Sequence, residues 1–278
     1  MQKGQIVIGV GALILVFTLY FLGKTVQKKE QLSTPTLENF SFDQYEQLQL
    51  SKLSSEQQKE LLALKAQIKS IKLSDTTALK ALYLKVSDLW KNSGNLSMGA
   101  YNFYRFAKIG GSKADLENAG DVLVNAYKSG PDSTISNNLI TFALRSYEEA
   151  IGKDGSDVGL RIKLAEVYVQ GSQEPMKGVG ILRQLVDSLP DNVPVLLALG
   201  RLSIQSGQFD KAKERLQKVL KIQPQNTEAL YFMAITEAQM GHNDEAVRLF
   251  EMCKLIVADK NFNKEIDEIV KSLKSKKV

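Results

Sequence analysis

The chain has 278 residues, 44% hydrophobic and 24% charged, and its net charge of +5 comes from 36 Lys and Arg against 31 Asp and Glu. That mixture suits one folded unit with a continuous core and lacks the strong basic excess of a nucleic-acid binder. The single cysteine, Cys253, excludes an intrachain disulfide, and the single histidine, His242, has no second His or Cys at metal-ligand spacing.

In chain order, residues 1–5 read as a short tail and 6–23 as a transmembrane helix. Ile6 to Leu22 (IVIGVGALILVFTLYFL) is uncharged, flanked by Lys3 on one side and Lys24, Lys28 and Lys29 on the other. At 1.5 Å per residue this run is about 26 Å long, enough to cross the hydrocarbon core. No small-x-small cleavage site follows it, so a retained anchor is expected rather than a cleaved signal. Residues 24–52 read as a linker: positions 31–51 hold Glu38, Asp43 and Glu46, no Lys or Arg, and Pro35 among Ser and Thr. An amphipathic helix is expected over 53–75, opened by a capping box of Ser55 and Gln58 and carrying Leu61, Leu64, Ile68 and Ile71 on one stripe. The stripe is too short for a coiled coil and is expected to pack on the first helical pair.

Residues 76–259 read as about five pairs of helices. The first, near 77–110, has Tyr83, Val86 and Trp90, a turn at Gly94, then Ala100, Tyr104 and Ala107. The second, near 113–154, has Leu116, Ala119 and Gly120, then Ala143, Tyr147 and Ala150, separated by KSGPDSTISNN, a stretch whose composition predicts a loop. The third, near 158–191, holds Leu164, Ala165 and Tyr168 and one extra residue in the turn GSQEPMKG. The last two, 193–226 and 227–259, repeat at an offset of 34. That offset relates Pro190 to Pro224, Gly178 to Ala212 and Ala246, Leu182 to Leu216 and Phe250, Leu196 to Leu230, Leu199 to Met233, Gly200 to Ala234 and Gly207 to Gly241. Small residues fall where two helices must approach closely, and large apolar ones fill the gap between them. Residues 260–278 read as a capping helix with Phe262, Ile266, Ile269, Val270 and Leu273, ending in the basic tail Lys271, Lys274, Lys276 and Lys277. Those lysines suit a helix C-terminus and solubility better than RNA, because no extended stripe with stacking aromatics accompanies them.

This pattern resembles the tetratricopeptide repeat (TPR), most closely over 158–259. The resemblance implies an all-α, TPR-type α-solenoid of helix-turn-helix repeats with a C-terminal capping helix, here preceded by a single transmembrane helix. It also implies a groove lined by the first helix of each repeat. The corresponding positions are Ile162, Glu166 and Val169, then Leu197, Arg201 and Ile204, then Tyr231, Ile235 and Gln239. A mostly aliphatic groove with one acid and one base suits an amphipathic helix or an apolar extended segment of a partner protein. The Lys and Asn of the carboxylate-clamp subclass are absent from these positions. Each aliphatic residue among them has packing between repeats, or against the chain's own C-terminal helix, as its competing role.

No catalytic, cofactor-binding or metal-binding set is expected. Gly23-Lys24-Thr25 echoes a phosphate-binding loop, but Thr18 stands where its first Gly is required, and Gly9-Val10-Gly11 lies inside the apolar run. The acidic pairs Glu148 with Glu149 and Asp210 with Glu214 read as solvated faces, and no nucleophile, base and oxyanion donor assemble. The reading is therefore a membrane-anchored interaction scaffold, and the resemblance to bacterial inner-membrane repeat proteins, translocon-associated and cytochrome-assembly members among them, implies a role in envelope protein biogenesis or complex assembly. A positive-inside count favours a cytoplasmic domain. The likeness to bacterial inner-membrane proteins with a periplasmic repeat domain favours the periplasm, which is the expectation adopted. An obligate structural subunit of an inner-membrane complex and a cytoplasm-facing adaptor to ribosome or RNA are the alternatives.

Overall fold

The computed structural model describes residues 40–275. The tail, the expected membrane span and most of the linker lie outside the described residues; among the described residues no helix is long and apolar enough to cross a membrane. Thirteen α-helices and one 3-10 turn, with no strand, make up the described part. Helix α1 is Phe42–Gln49, followed by the 3-10 turn Leu50–Lys52 and then α2, Ser55–Ser70. Five hairpins come next: α3 (Thr76–Asn92) with α4 (Leu96–Lys108), α5 (Lys113–Lys128) with α6 (Ser133–Lys153), α7 (Val158–Gly171) with α8 (Pro175–Ser188), α9 (Val193–Gln205) with α10 (Phe209–Ile222), and α11 (Thr227–Gln239) with α12 (Asn243–Ile256). Helix α13, Lys260–Ser275, closes the series.

Local chemistry sets the ends of these helices. Asn or Asp side chains cap α3, α4, α6, α7, α9 and α11 by accepting a backbone N–H of the first turn. Gly207 (φ 70°) and Gly241 (φ 82°) terminate α9 and α11 in the left-handed region, and the next residue's N–H reaches back to Ser203 and Glu237. That is the Schellman closure, which only glycine enters without strain. Successive helices pack on one another along the whole series. First helices also touch their counterparts directly in α7–α9–α11, whereas in the N-terminal part it is the second helices α4 and α6 that touch.

One apolar cluster runs from α9 to α13 through Leu196, Leu216, Leu230, Phe250, Cys253 and Ile266, and a second joins α7, α8 and α9 through Ala165, Leu182, Leu185 and Ala198. Each hairpin leaves an apolar face that the next one covers, and α13 covers the last with Ile266, Val270 and Leu273.

Three expectations are corrected. The linker does not extend to residue 52, because 42–52 is helical and packed, with Phe42, Glu46 and Gln49 buried on one side of α1. A helix that turns one face inward needs only those three positions, so the polar composition of the stretch concealed it. The capping box lies one residue earlier: the Ser54 hydroxyl accepts from Gln57 N–H and the Gln57 side chain accepts from Ser54 N–H. Gln58 instead donates to the carbonyls of Leu50 and Leu53, fixing the entry to α2. In the predicted loop KSGPDSTISNN only 129–132 is non-helical. The Asp132 carboxylate accepts from the N–H groups of Thr134 and Ile135 and starts α6 there, and Ile135 and Leu139 are buried.

Candidate protein-binding face

The first helices of the repeats carry one set of charged side chains that link one repeat to the next. On α9, the Arg201 guanidinium donates through Nη2 to Glu166 Oε1 on α7 and through Nη1 to Glu228 Oε1 on α11. Its carbon centre also lies 5.9 Å from the ring centroid of Phe232. One residue thus ties three successive repeats across a single face.

The same construction continues toward the N-terminus. Lys163 on α7 donates to Glu117 Oε1 at 2.9 Å and Asp121 Oδ2 at 2.8 Å, both on α5. Asp121 Oδ1 accepts the Tyr147 hydroxyl at 2.7 Å, and Lys80 on α3 pairs with Asp115 on α5. Burial alone would depress the Lys163 ammonium, but the two carboxylates overcome it and hold the pKa above the usual lysine value. Burial, then Asp121, pushes the Tyr147 phenol well up, so it donates as a neutral hydroxyl.

Between α5 and α11 this ladder sets four carboxylates, Glu117, Asp121, Glu166 and Glu228, against the two cations Lys163 and Arg201. A cleft of about 350 Å³ opens beside it, with Val124, Tyr147, Lys163 and Glu166 in its wall. The face therefore offers an acidic, partly desolvated strip beside half-buried aliphatic edges.

The nine residues expected to line a groove divide into three groups. Ile162 and Leu197 are withdrawn into the apolar clusters, where packing between helices occupies them. Glu166 and Arg201 do face each other across repeats, as a joined ion pair rather than as two free contacts. Val169, Ile204, Tyr231 and Ile235 are half-buried and Gln239 is exposed. Tyr231 is shared with the cap, its ring 5.6 Å from that of Phe250 and 6.1 Å from that of Phe262 on α13.

Sequence reasoning missed Lys163, Glu117, Asp121 and Glu228. The available signal was opposite charge on adjacent first helices about one repeat apart, 35 residues for Glu166 to Arg201 and 42 for Asp121 to Lys163.

Among the described residues no group of His, Cys, Asp and Glu is arranged to hold a metal ion. His242 is not simply solvated: its Nδ1 lies 2.7 Å from Glu237 Oε2, and Lys213 donates to Glu237 Oε1 at 2.8 Å. Burial would raise the Glu237 pKa, yet these two partners bring it below the ordinary value. Cys253 is fully enclosed, and burial pushes its thiol up to about 11, the opposite of what a reactive thiolate requires.

Comparison with known proteins agrees with the helical pattern. A family model described as a tetratricopeptide repeat matches residues 178–223 and 204–261, so this segment carries tetratricopeptide repeats. Protein CTR9 homolog of Arabidopsis thaliana is 28% identical over 159 residues, which are 57% of this chain and 12% of that protein. The chain thus spans only a small part of the length of that relative. Among solved structures, a tetratricopeptide repeat protein from Parabacteroides merdae ATCC 43184 is 19% identical, with 71% of this chain and 74% of that chain covered and a TM-score of 0.49. TTC0263, a thermophilic TPR protein of Thermus thermophilus, is 18% identical over 70% of this chain and 98% of its own, with a TM-score of 0.48. YrrB, described as a TPR protein with an unusual peptide-binding site, is 16% identical over 67% and 91%, with a TM-score of 0.41.

Proposed function

We propose that this protein is a non-enzymatic interaction scaffold that holds a segment of a partner protein along the first-helix face between α5 and α11. The observation that carries the reading is the ladder from Glu117 and Asp121 through Lys163 to Glu166, Arg201 and Glu228, flanked by half-buried Val169, Ile204 and Ile235. Its excess of carboxylates suits a helix or extended segment with an apolar side and a Lys or Arg at its edge. Such a side chain can join the ladder without stranding a buried charge.

The apolar run 6–23 is proposed as the anchor that keeps the repeats at a bacterial inner membrane, on the periplasmic side. Tethering raises the effective concentration of a weak groove next to clients in envelope protein biogenesis or complex assembly. A second reading, an obligate subunit of a membrane complex, is favoured by a different feature. Leu189, Ile222 and Ile256, at the ends of α8, α10 and α12, remain 38%, 45% and 40% exposed, one per repeat.

The test is affinity capture of partners from detergent extracts with the full chain and with Glu166→Lys/Glu228→Lys. Those substitutions turn the strip basic, so capture is expected to fall at least tenfold while the far-UV helical signal stays the same. Undiminished capture by the variant contradicts the proposed face, and a fixed stoichiometric set of partners favours the subunit reading.

A further inference from the structure

Helix α1 does not sit where an end cap sits. A cap covers the outer face of the terminal hairpin, as α13 does; α1 instead lies across the flanks of several helices. Its Phe42 ring stacks on Tyr101 of α4, with centroids 4.3 Å apart and planes 9° from parallel, and lies 5.9 Å from Phe142 of α6. The Glu46 carboxylate, in a residue only 4% exposed, accepts from Lys65 of α2 and from Trp90 Nε1 of α3, the latter at 3.3 Å. Asn95, which caps α4, donates to Gln49 at 3.4 Å and is hydrogen-bonded to Tyr45. The seat so outlined has an aromatic floor of Tyr101, Tyr104 and Phe142 and a basic rim of Lys65, Lys69 and Arg105. Arg105 lies 3.8 Å from Asp43 and over the Tyr83 ring at 4.6 Å.

The residues that α1 presents to this seat are Phe42, Tyr45, Glu46 and Gln49, at i, i+3, i+4 and i+7, the anchor pattern of an amphipathic helix laid in a groove. At eight residues α1 is far below the length at which a helix holds its shape in isolation, about 12 to 15 residues, so the seat is what folds it. A bound peptide helix shares both features.

We propose that the aromatic seat formed by α2, α3, α4 and α6 is a second binding groove, filled in cis by α1, which accepts a partner helix of the same chemistry: an aromatic anchor with an aromatic and a carboxylate one turn on. Charge complementarity defines this occupant, since the seat answers Asp43 and Glu46 with Arg105 and Lys65. The groove shares only α6 with the α5–α11 face, through Phe142 here and Tyr147 there, and it stands independently of the function proposed for that face. Here α1 is the competitor that a partner helix must displace.

The test uses the full chain and a fluorescent peptide of residues 41–53, SFDQYEQLQLSKL. Phe42→Ala/Glu46→Ala in the full chain releases α1, and this variant is expected to bind the peptide at least tenfold more tightly than the unmodified protein. Adding Lys65→Glu should abolish that binding. Equal affinity of the two proteins for the peptide, or no binding by the variant at a temperature where its far-UV signal shows the repeat helices still folded, overturns the proposal. Hydrogen exchange of the unmodified protein gives an independent reading. The α1 amides should exchange at least tenfold faster than those of α3 and α4, as expected for a docked ligand, and equal protection would make α1 an integral part of the fold and overturn the proposal.

Discussion

Arg201 shows how much one side chain can organise without being strongly stabilising. Its partners Glu166 and Glu228 keep 27% and 46% of their side-chain surface exposed, so solvent screens each pair and holds it to at most about 1 kcal/mol. Loss of partner capture in the Glu166→Lys/Glu228→Lys protein is therefore readable as loss of binding. Charge matters differently at the α6–α7 junction. The Lys113 ammonium bonds Asp154 at 2.8 Å and Asp157 at 2.6 Å. That bond, then those from Ser156, draws Asp154 down to about 2, and Lys113 also lowers Asp157. A carboxylate whose folded pKa lies below its unfolded value of about 3.9 contributes stability above that value and loses it as the folded pKa is crossed. The melting temperature should accordingly fall as the pH drops from about 4 to about 2, and Lys113→Met should flatten that fall. Identical pH profiles for the two proteins would refute this assignment. The sequence offered Glu166 and Arg201 as groove charges but not as a pair; their opposite charge about one repeat apart, 35 residues, becomes a contact only through the offset between successive repeats.

At the scale of the helix, period and punctuation were informative and composition was misleading. The 34-residue offsets marked the hairpins α9–α10 and α11–α12, and Gly207 and Gly241 marked the turns inside them. Ser133 to Asn138 read as a loop from residue type alone, yet one Asp cap and two buried aliphatics make it the first turns of α6. Helix α1 was invisible for a related reason: its anchors are two aromatics and a carboxylate whose counterparts lie tens of residues away. The repeat alignment also predicts contrasting glycine substitutions. A Cβ at Gly178 would run into the Ala165 carbonyl oxygen, a backbone atom that cannot step aside, so Gly178→Ala should cost about 1–3 kcal/mol. At Gly200 the nearest atom is Leu216 Cδ2 at 3.1 Å, the end of a flexible side chain, and the next repeat has Ala234 there. Gly200→Ala should be neutral or gain up to about 1 kcal/mol from helix propensity. Chemical denaturation of both variants decides the matter, and equal effects would mean that the two hairpins are equally close-packed.

Among the described residues from Phe42 on, each hairpin contacts mainly its neighbours, and the surfaces this stack presents differ in chemistry. One is the charged ladder of first helices. Another is the row of exposed aliphatics at the ends of α8, α10 and α12, and a third is the aromatic seat under α1. The architecture was legible from sequence because stacking is a nearest-neighbour property that repeats faithfully. Ile162 and Leu197 were misplaced because the boundary between core and groove on a first helix turns on a rotation too small to shift the hydrophobic pattern. The central claim, that the face between α5 and α11 holds a partner, is tested most directly by site-specific photo-crosslinking in cells from Val169, Ile204 and Gln239, with Gln184 and Gln217 on the second helices as controls. A partner held on this face gives crosslinks to a common protein from the first three positions and not from the controls; crosslinks confined to the control positions, or equal from all five, would contradict it.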